Sequence, residues 1–140
     1  MPISQRLRDR QDAELVGLVF RLTDALQHRY ESVAAEHGLT RQQATVLGLL
    51  EEPHPMSALA DQLHRVASNI TGLVDRLERQ GLVQRDRAPD DRRVVVISAT
   101  AAGRELYAAF ERALYSEELP FAALDDDQRA TLVSLLRPLV

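Results

Sequence analysis

At 140 residues the chain has the length of one domain, and its 45% hydrophobic and 27% charged composition excludes wholesale disorder and fibrous repeats. It has no cysteine, which removes disulfides, thiolate metal sites, cysteine nucleophiles and thiol redox sensing. All 17 basic residues are arginine, which removes Schiff-base and P-loop lysine chemistry. The net charge of −4 argues on its face against a polyanionic partner. That sum, however, divides into −3 over residues 1–64, +2 over 65–99 and −3 over 100–140, so a basic middle lies between acidic flanks.

The segment Met1 to Phe20 mixes Arg6, Arg8 and Arg10 with Asp9, Asp12 and Glu14 and lacks the apolar core of a signal peptide. No stretch is apolar enough to suggest a membrane span, so a cytoplasmic protein without membrane association is expected. The first helix is read from Leu15, Leu18, Val19, Leu22, Leu26, Tyr30 and Val33, which recur at spacings of three and four and stop near His37-Gly38. Thr40 and Gln43 form a capping-box pattern that opens a second helix carrying Val46, Leu47, Leu49 and Leu50, with Pro53 and Pro55 as its terminators.

Two short helices follow, Ser57 to His64 and Ser68 to Gln80, separated by Arg65-Val66-Ala67 and stopped by Gly81. That is the connection length of a helix-turn-helix, with the second helix capped by Ser68 or a water. Leu82 to Asp86 and Arg93 to Ser98 read as strands around the turn cluster Ala88-Pro89-Asp90-Asp91, a β-hairpin that must pack on the helices to be stable. A helix after Thr100 carries Leu106, Phe110, Ala113 and Leu114 and ends before Pro120. Asp125, Asp126 and Asp127 open a last helix with Leu132, Val133, Leu135 and Leu136.

The predicted fold is therefore mainly α with a small β-hairpin wing: a winged helix-turn-helix. The second helix of such a pair enters the DNA major groove, so short hydrogen-bonding groups near its start suit base edges. Ser68, Asn69 and Thr71 are such groups, Gly72 leaves room for close approach, and Arg76 and Arg79 lie one and two turns later within reach of phosphates or bases. Arg92 at the hairpin tip is suited to the narrow minor groove. Plainer readings stand beside these: Ser68 as a cap, Arg76, Glu78 and Arg79 as a solvated helix face, and Asp90 to Arg93 as a polar turn with an internal ion pair.

The run from Ala67 to Val83 resembles the recognition helix of MarR-type transcriptional regulators, and Asp91-Arg92-Arg93 followed by Ser98, Thr100 and Gly103 resembles that family's wing signature. Two positions depart from it: Val66-Ala67 stands where the helix is usually entered through Ser-Pro, and Ala99-Thr100 where the wing usually closes with Leu-Thr. The resemblance implies one MarR-type domain over 1–140, with a winged core at about 39–99 and dimerisation helices at 1–38 and 100–140. It further implies that Asp91 and Arg93 brace the wing while Arg92 meets the minor groove. It implies a ligand-responsive homodimeric repressor on double-stranded operator DNA, released by a small aromatic or phenolic effector. Leu22, Leu26, Tyr30, Leu47 and Tyr107 are the candidate pocket residues, with core packing as their plainer role.

Apolar residues in excess of what a thin winged core would cover, through to Leu139-Val140, also favour a dimer, and its twofold axis favours a pseudo-palindromic operator. No cofactor or metal is expected, since His28, His37, His54 and His64 contain no pair spaced for a helical metal site. No enzyme is expected either, since Glu117-Glu118 and the Asp125 cluster read as solvated ends or helix starts. A winged-helix protein-interaction module without sequence-specific DNA binding is the rival function.

Overall fold

A computed structural model describes residues 3–63, 69–116 and 119–140. The expected turn Arg65-Val66-Ala67, with His64 and Ser68, and the pair Glu117-Glu118 lie outside the described residues. The chain divides into two compact units, a winged unit from Glu31 to Leu114 and a helical unit made of Met1–Tyr30 and Tyr115–Val140.

Helix α1 spans Ile3–Glu36, starting well before the apolar stripe that marks it in the sequence. Its early turns are built from Gln, Arg, Leu, Ala and Glu, good helix formers without a continuous apolar face. It closes in the winged unit through a Schellman pair, Leu39 N–H to the Ala34 carbonyl at 2.9 Å and Gly38 N–H to that of Ala35 at 3.0 Å. Thr40 then caps α2 (Arg41–Leu49) in a full capping box: Thr40 Oγ1 accepts from Gln43 N–H at 3.2 Å, and Thr40 N–H donates to Gln43 Oε1 at 2.9 Å.

The helices α3 (Met56–Leu63) and α4 (Ile70–Arg79) follow. Strands β2 (Val83–Arg87) and β3 (Val95–Ala99) pair antiparallel with Arg85 opposite Ile97, each displaced a residue or two toward the C-terminus from the sequence expectation. A third strand, β1 (His54–Pro55), pairs with the other side of β3 and gives the order β1-β3-β2. Pro55, expected only as a helix terminator, thus lies in a strand. An edge position tolerates a residue without an N–H donor. Helix α5 (Ala101–Leu114) returns across α2 and β3. The unit closes on Val33, Ala44, Val46, Leu59, Val74, Leu77, Ile97 and Phe110, all fully buried.

In the helical unit, Arg29 Nη2 donates to Ser116 Oγ at 2.9 Å. A 3-10 turn at Pro120–Ala123 precedes α6 (Asp126–Leu136), whose capping box joins Asp125 and Gln128. No residue of α6 is buried, and Val133, Leu135, Leu136, Leu139 and Val140 are exposed, as are Leu15, Val16, Val19 and Phe20 of α1. Among the described residues no helix is long and apolar enough to cross a membrane.

Candidate nucleic-acid interface

Helix α4 is built with one apolar face and one polar face. Ile70, Leu73, Val74 and Leu77 are buried, and the 3.6-residue period turns Thr71, Arg76 and Arg79 outward, where all three are exposed. The helix is capped by Asn69, whose Oδ1 accepts from Gly72 N–H at 2.9 Å. This changes the reading of two positions. Asn69 is exposed, but its carbonyl oxygen accepts the capping bond, leaving the amide Nδ2 as the side chain's donor. Gly72 makes room for that cap, because a Cβ there would sit 2.5 Å from Asn69 Nδ2.

The charges on α4 differ in their partners. Arg85 on β2 forks onto the helix, one guanidinium nitrogen on Asp75 and the other on Glu78 at 3.0 Å. The Asp75 hydrogen bond, and after it the Asp75 and Glu78 charges, hold the Arg85 guanidinium pKa above the ordinary value against a smaller opposing effect of burial. The outward arginines make no such pair among the described residues: Arg76 Nε donates to the Gly72 carbonyl and Arg79 Nε to that of Asp75, each at 3.3 Å. Sequence reasoning misses Arg85 because its partners lie on another element. Its alternation with Val83 along β2 is the available signal.

The wing loop runs from Ala88 to Val94 and is closed by Ala88 N–H to the Val94 carbonyl and Val94 N–H to that of Asp91, both 3.0 Å. Within it, Asp91 accepts from Arg93 three times: from the backbone N–H at 3.0 Å, from Nε at 3.1 Å and from Nη2 at 3.3 Å. These bonds, the side-chain ones first, hold the Asp91 carboxyl below its ordinary value of 3.8. Arg92 between them is exposed and has no ion pair among the described residues. The Asp91–Arg93 bonds thus span Arg92, whose side chain is exposed.

Thr100 anchors the base of the wing. Its Oγ1 donates to the Gly81 carbonyl at 2.6 Å and accepts from Gly103 N–H at 3.1 Å, while its N–H donates to the Leu82 carbonyl at 3.0 Å. Ala99, where the family's wing usually has leucine, is buried. Helix α5 approaches so closely that a Cβ on Gly103 would lie 2.0 Å from the Leu82 carbonyl oxygen. Gly81 itself ends α4 at φ 74°, a left-handed conformation suited to glycine.

A cavity of about 280 Å³ opens between α2 and α5, lined among others by Leu47, Glu51, Arg104, Tyr107 and Glu111. Tyr107 packs on Phe110 with ring centroids 5.7 Å apart. Of the five candidate pocket residues, Leu47 and Tyr107 line this cavity. Leu22, Leu26 and Tyr30 belong to the helical unit and are half-buried.

The MarR family model matches residues 39–95, from the start of α2 into β3. BadR, a transcriptional activatory protein of Rhodopseudomonas palustris, is 36% identical over 121 residues, 78% of this chain and 69% of BadR. The homoprotocatechuate degradative operon repressor of Escherichia coli is 33% identical over 86 residues, 60% of this chain and 58% of the repressor. A Thauera aromatica protein described as a transcriptional regulator for the hcr operon is 38% identical over 84 residues, 59% of this chain, and the chain spans only about half of it, 51%. A mutant of Escherichia coli MarR, solved with operator DNA, shares the fold at a TM-score of 0.74 and 22% identity, over 93% of this chain and 96% of that one. The chain belongs to the MarR family, whose members are DNA-binding transcription regulators and not enzymes.

Proposed function

We propose that this chain is a homodimeric, ligand-responsive repressor that binds a pseudo-palindromic operator. The observation that carries the reading is the sorting of charge on α4 and the wing. Arg76, Arg79 and Arg92 are exposed without carboxylate partners among the described residues, while Asp75 and Glu78 are tied to Arg85 and Asp91 to Arg93. In this reading Thr71 and the Asn69 amide meet base edges in the major groove. Arg76 and Arg79 hold phosphates, and Arg92 enters the minor groove. Asp91 and Arg93 brace the wing.

Residues 39–99 serve as the DNA-contacting core, and the helices of 1–38 and 100–140 carry dimerisation. Exposed Phe20, Val133, Leu136 and Leu139 supply the apolar surface a second copy would cover. Twofold symmetry then sets the half-sites roughly 34 Å apart. The effector site is placed at the cavity of the winged unit that Leu47 and Tyr107 line. The likeness to a repressor of homoprotocatechuate degradation supports a small aromatic or phenolic effector. The likeness to BadR favours a second reading, activation, which differs in where the operator lies relative to the promoter. The protein works in the cytoplasm, where its DNA is.

Selection of bound fragments from sheared genomic DNA, followed by anisotropy titrations on one selected duplex, tests the reading. Log affinity should fall linearly with log salt, with a slope of about −0.9 per phosphate contacted. Footprints should show two half-sites one helical turn apart. A flat salt response, or no fragment retained, rules it out and favours a protein-interaction module.

A further inference from the structure

Asp75 and Arg79 stand four residues apart on α4 with the acid on the N-terminal side, the orientation in which a helical ion pair forms most readily. They do not pair. The Asp75 carboxylate is taken by Arg85 from β2, which also holds Glu78, and Arg79 Nε turns instead to the Asp75 backbone carbonyl. Helix α4 taken alone carries two arginines and two acids, so its own charge is zero. With Arg85 added the cluster is positive, and both acids sit against the strand.

We propose that Arg85 is a positioning residue for the nucleic-acid face: by holding Asp75 and Glu78 on the strand side of α4, it keeps the Arg79 and Arg76 guanidinia open to phosphates. This rests on the DNA-binding reading above and deepens it. The fork matters because the planar guanidinium presents two donor edges in a fixed geometry to two carboxylates, whereas an ammonium is a rotatable point charge. Once Arg85 is removed, the Asp75 carboxylate is released to pair with Arg79 at the i, i+4 spacing. The arginine then neutralises a carboxylate in place of a phosphate, and one counterion fewer leaves the DNA per protomer.

The test is a double-substitution cycle read on a fluorescein-labelled mixed-sequence duplex of about 30 base pairs, long enough for roughly three helical turns. Arg85→Gln is expected to weaken binding about tenfold and to flatten the salt slope by about 0.9 for each phosphate that the protein no longer neutralises. Asp75→Asn should change wild-type affinity by less than about twofold, yet restore most of the affinity and slope in the Arg85→Gln background. A purely structural role for Arg85 would give no such rescue.

Unchanged affinity and slope in Arg85→Gln, or equal effects of Asp75→Asn in both backgrounds, would overturn the proposal. Where Arg85→Gln loses its cooperative thermal melt, Arg85→Met, which keeps an unbranched stem and drops the charge, replaces it in the cycle. The same coupling with Asp75→Asn is then expected, and its absence overturns the proposal equally. A wild-type protein that binds no duplex at low salt brings down the DNA reading and this inference together. Binding without coupling brings down the inference alone.

Discussion

In the winged unit Leu59, Val74, Leu77, Ile97 and Phe110 are fully buried, whereas in the helical unit Leu15, Phe20, Leu135 and Leu139 are each more than half exposed. The first unit closes a core from its own residues. The second does not, even though its α6 is capped as well as any helix in the chain, with Asp125 and Gln128 in reciprocal hydrogen bonds. Local helix signals and tertiary burial are thus separable: a capping box defines where a helix starts, and something else must cover its apolar side chains. The contrast matches the two proposed tasks, DNA contact for the unit that is complete alone and assembly for the unit that is not.

The largest effect should come from breaking the closed unit where it is tightest. Gly103→Ala brings a Cβ to 2.0 Å from the Leu82 carbonyl oxygen. A backbone atom cannot rotate away as a side chain can, so α5 must shift from the base of the wing. A cost of about 3 kcal/mol or more is expected, at the upper end for overpacking, seen as a drop in melting temperature of roughly 10 °C. A melt within a degree or two of wild type would show that α5 is free to slide over β3.

The complementary disruption acts on the open unit. Phe20 is 71% exposed, and a twofold interface would repeat each substitution in both copies. Phe20→Glu together with Leu136→Glu should raise the dimer dissociation constant by on the order of 100-fold, measured by sedimentation equilibrium. The far-ultraviolet spectrum of the winged unit should persist, and the dependence of the melt on protein concentration should disappear. A dimer of unchanged affinity would move the assembly surface elsewhere.

How much of this division can be read from the sequence follows from where each signal lives. The apolar face of α4, the Thr40–Gln43 box and the stop at Gly81 are local patterns, and the structure shows each as read. Strand β1 carries no local pattern, being two residues, one of them proline, made a strand only by pairing with β3. The early turns of α1 escape a periodicity reading because polar helix formers have no apolar stripe to betray them. Gly72 reads as room for DNA, yet its neighbour is Asn69, and Arg85 draws no notice because its carboxylates lie on a different element. Contacts within one turn of chain are legible; contacts between elements need the fold.

A smaller effect sharpens the contrast within the winged unit itself, between a core that stabilises and a surface that binds. Arg92→Ala removes a side chain that touches no carboxylate among the described residues, so the melt and the dimer should be unchanged. DNA affinity should fall about tenfold across most sequences, as for a groove or phosphate contact. Equal affinity in wild type and variant would show that the wing stays off the DNA.

The smallest effect concerns the pair beside it. Arg93 holds the Asp91 carboxyl below 3.8, chiefly through its side-chain hydrogen bonds and then its backbone N–H. A carboxyl depressed by folding favours the native state at pH above its unfolded value, and that contribution is lost as pH falls through the folded one. The brace should therefore be intact throughout the neutral range and fail only in acid, below the ordinary carboxylate midpoint. Carbon-detected titration of Asp91 should show a midpoint under 3.8 in wild type. In Arg93→Gln that midpoint should move up toward the ordinary value, with the melt at neutral pH almost unmoved because the pair is solvent-exposed. A wild-type midpoint already at the ordinary value would mean that the three bonds do not persist in solution. The outward presentation of Arg92 would then rest on the hairpin's two backbone bonds alone.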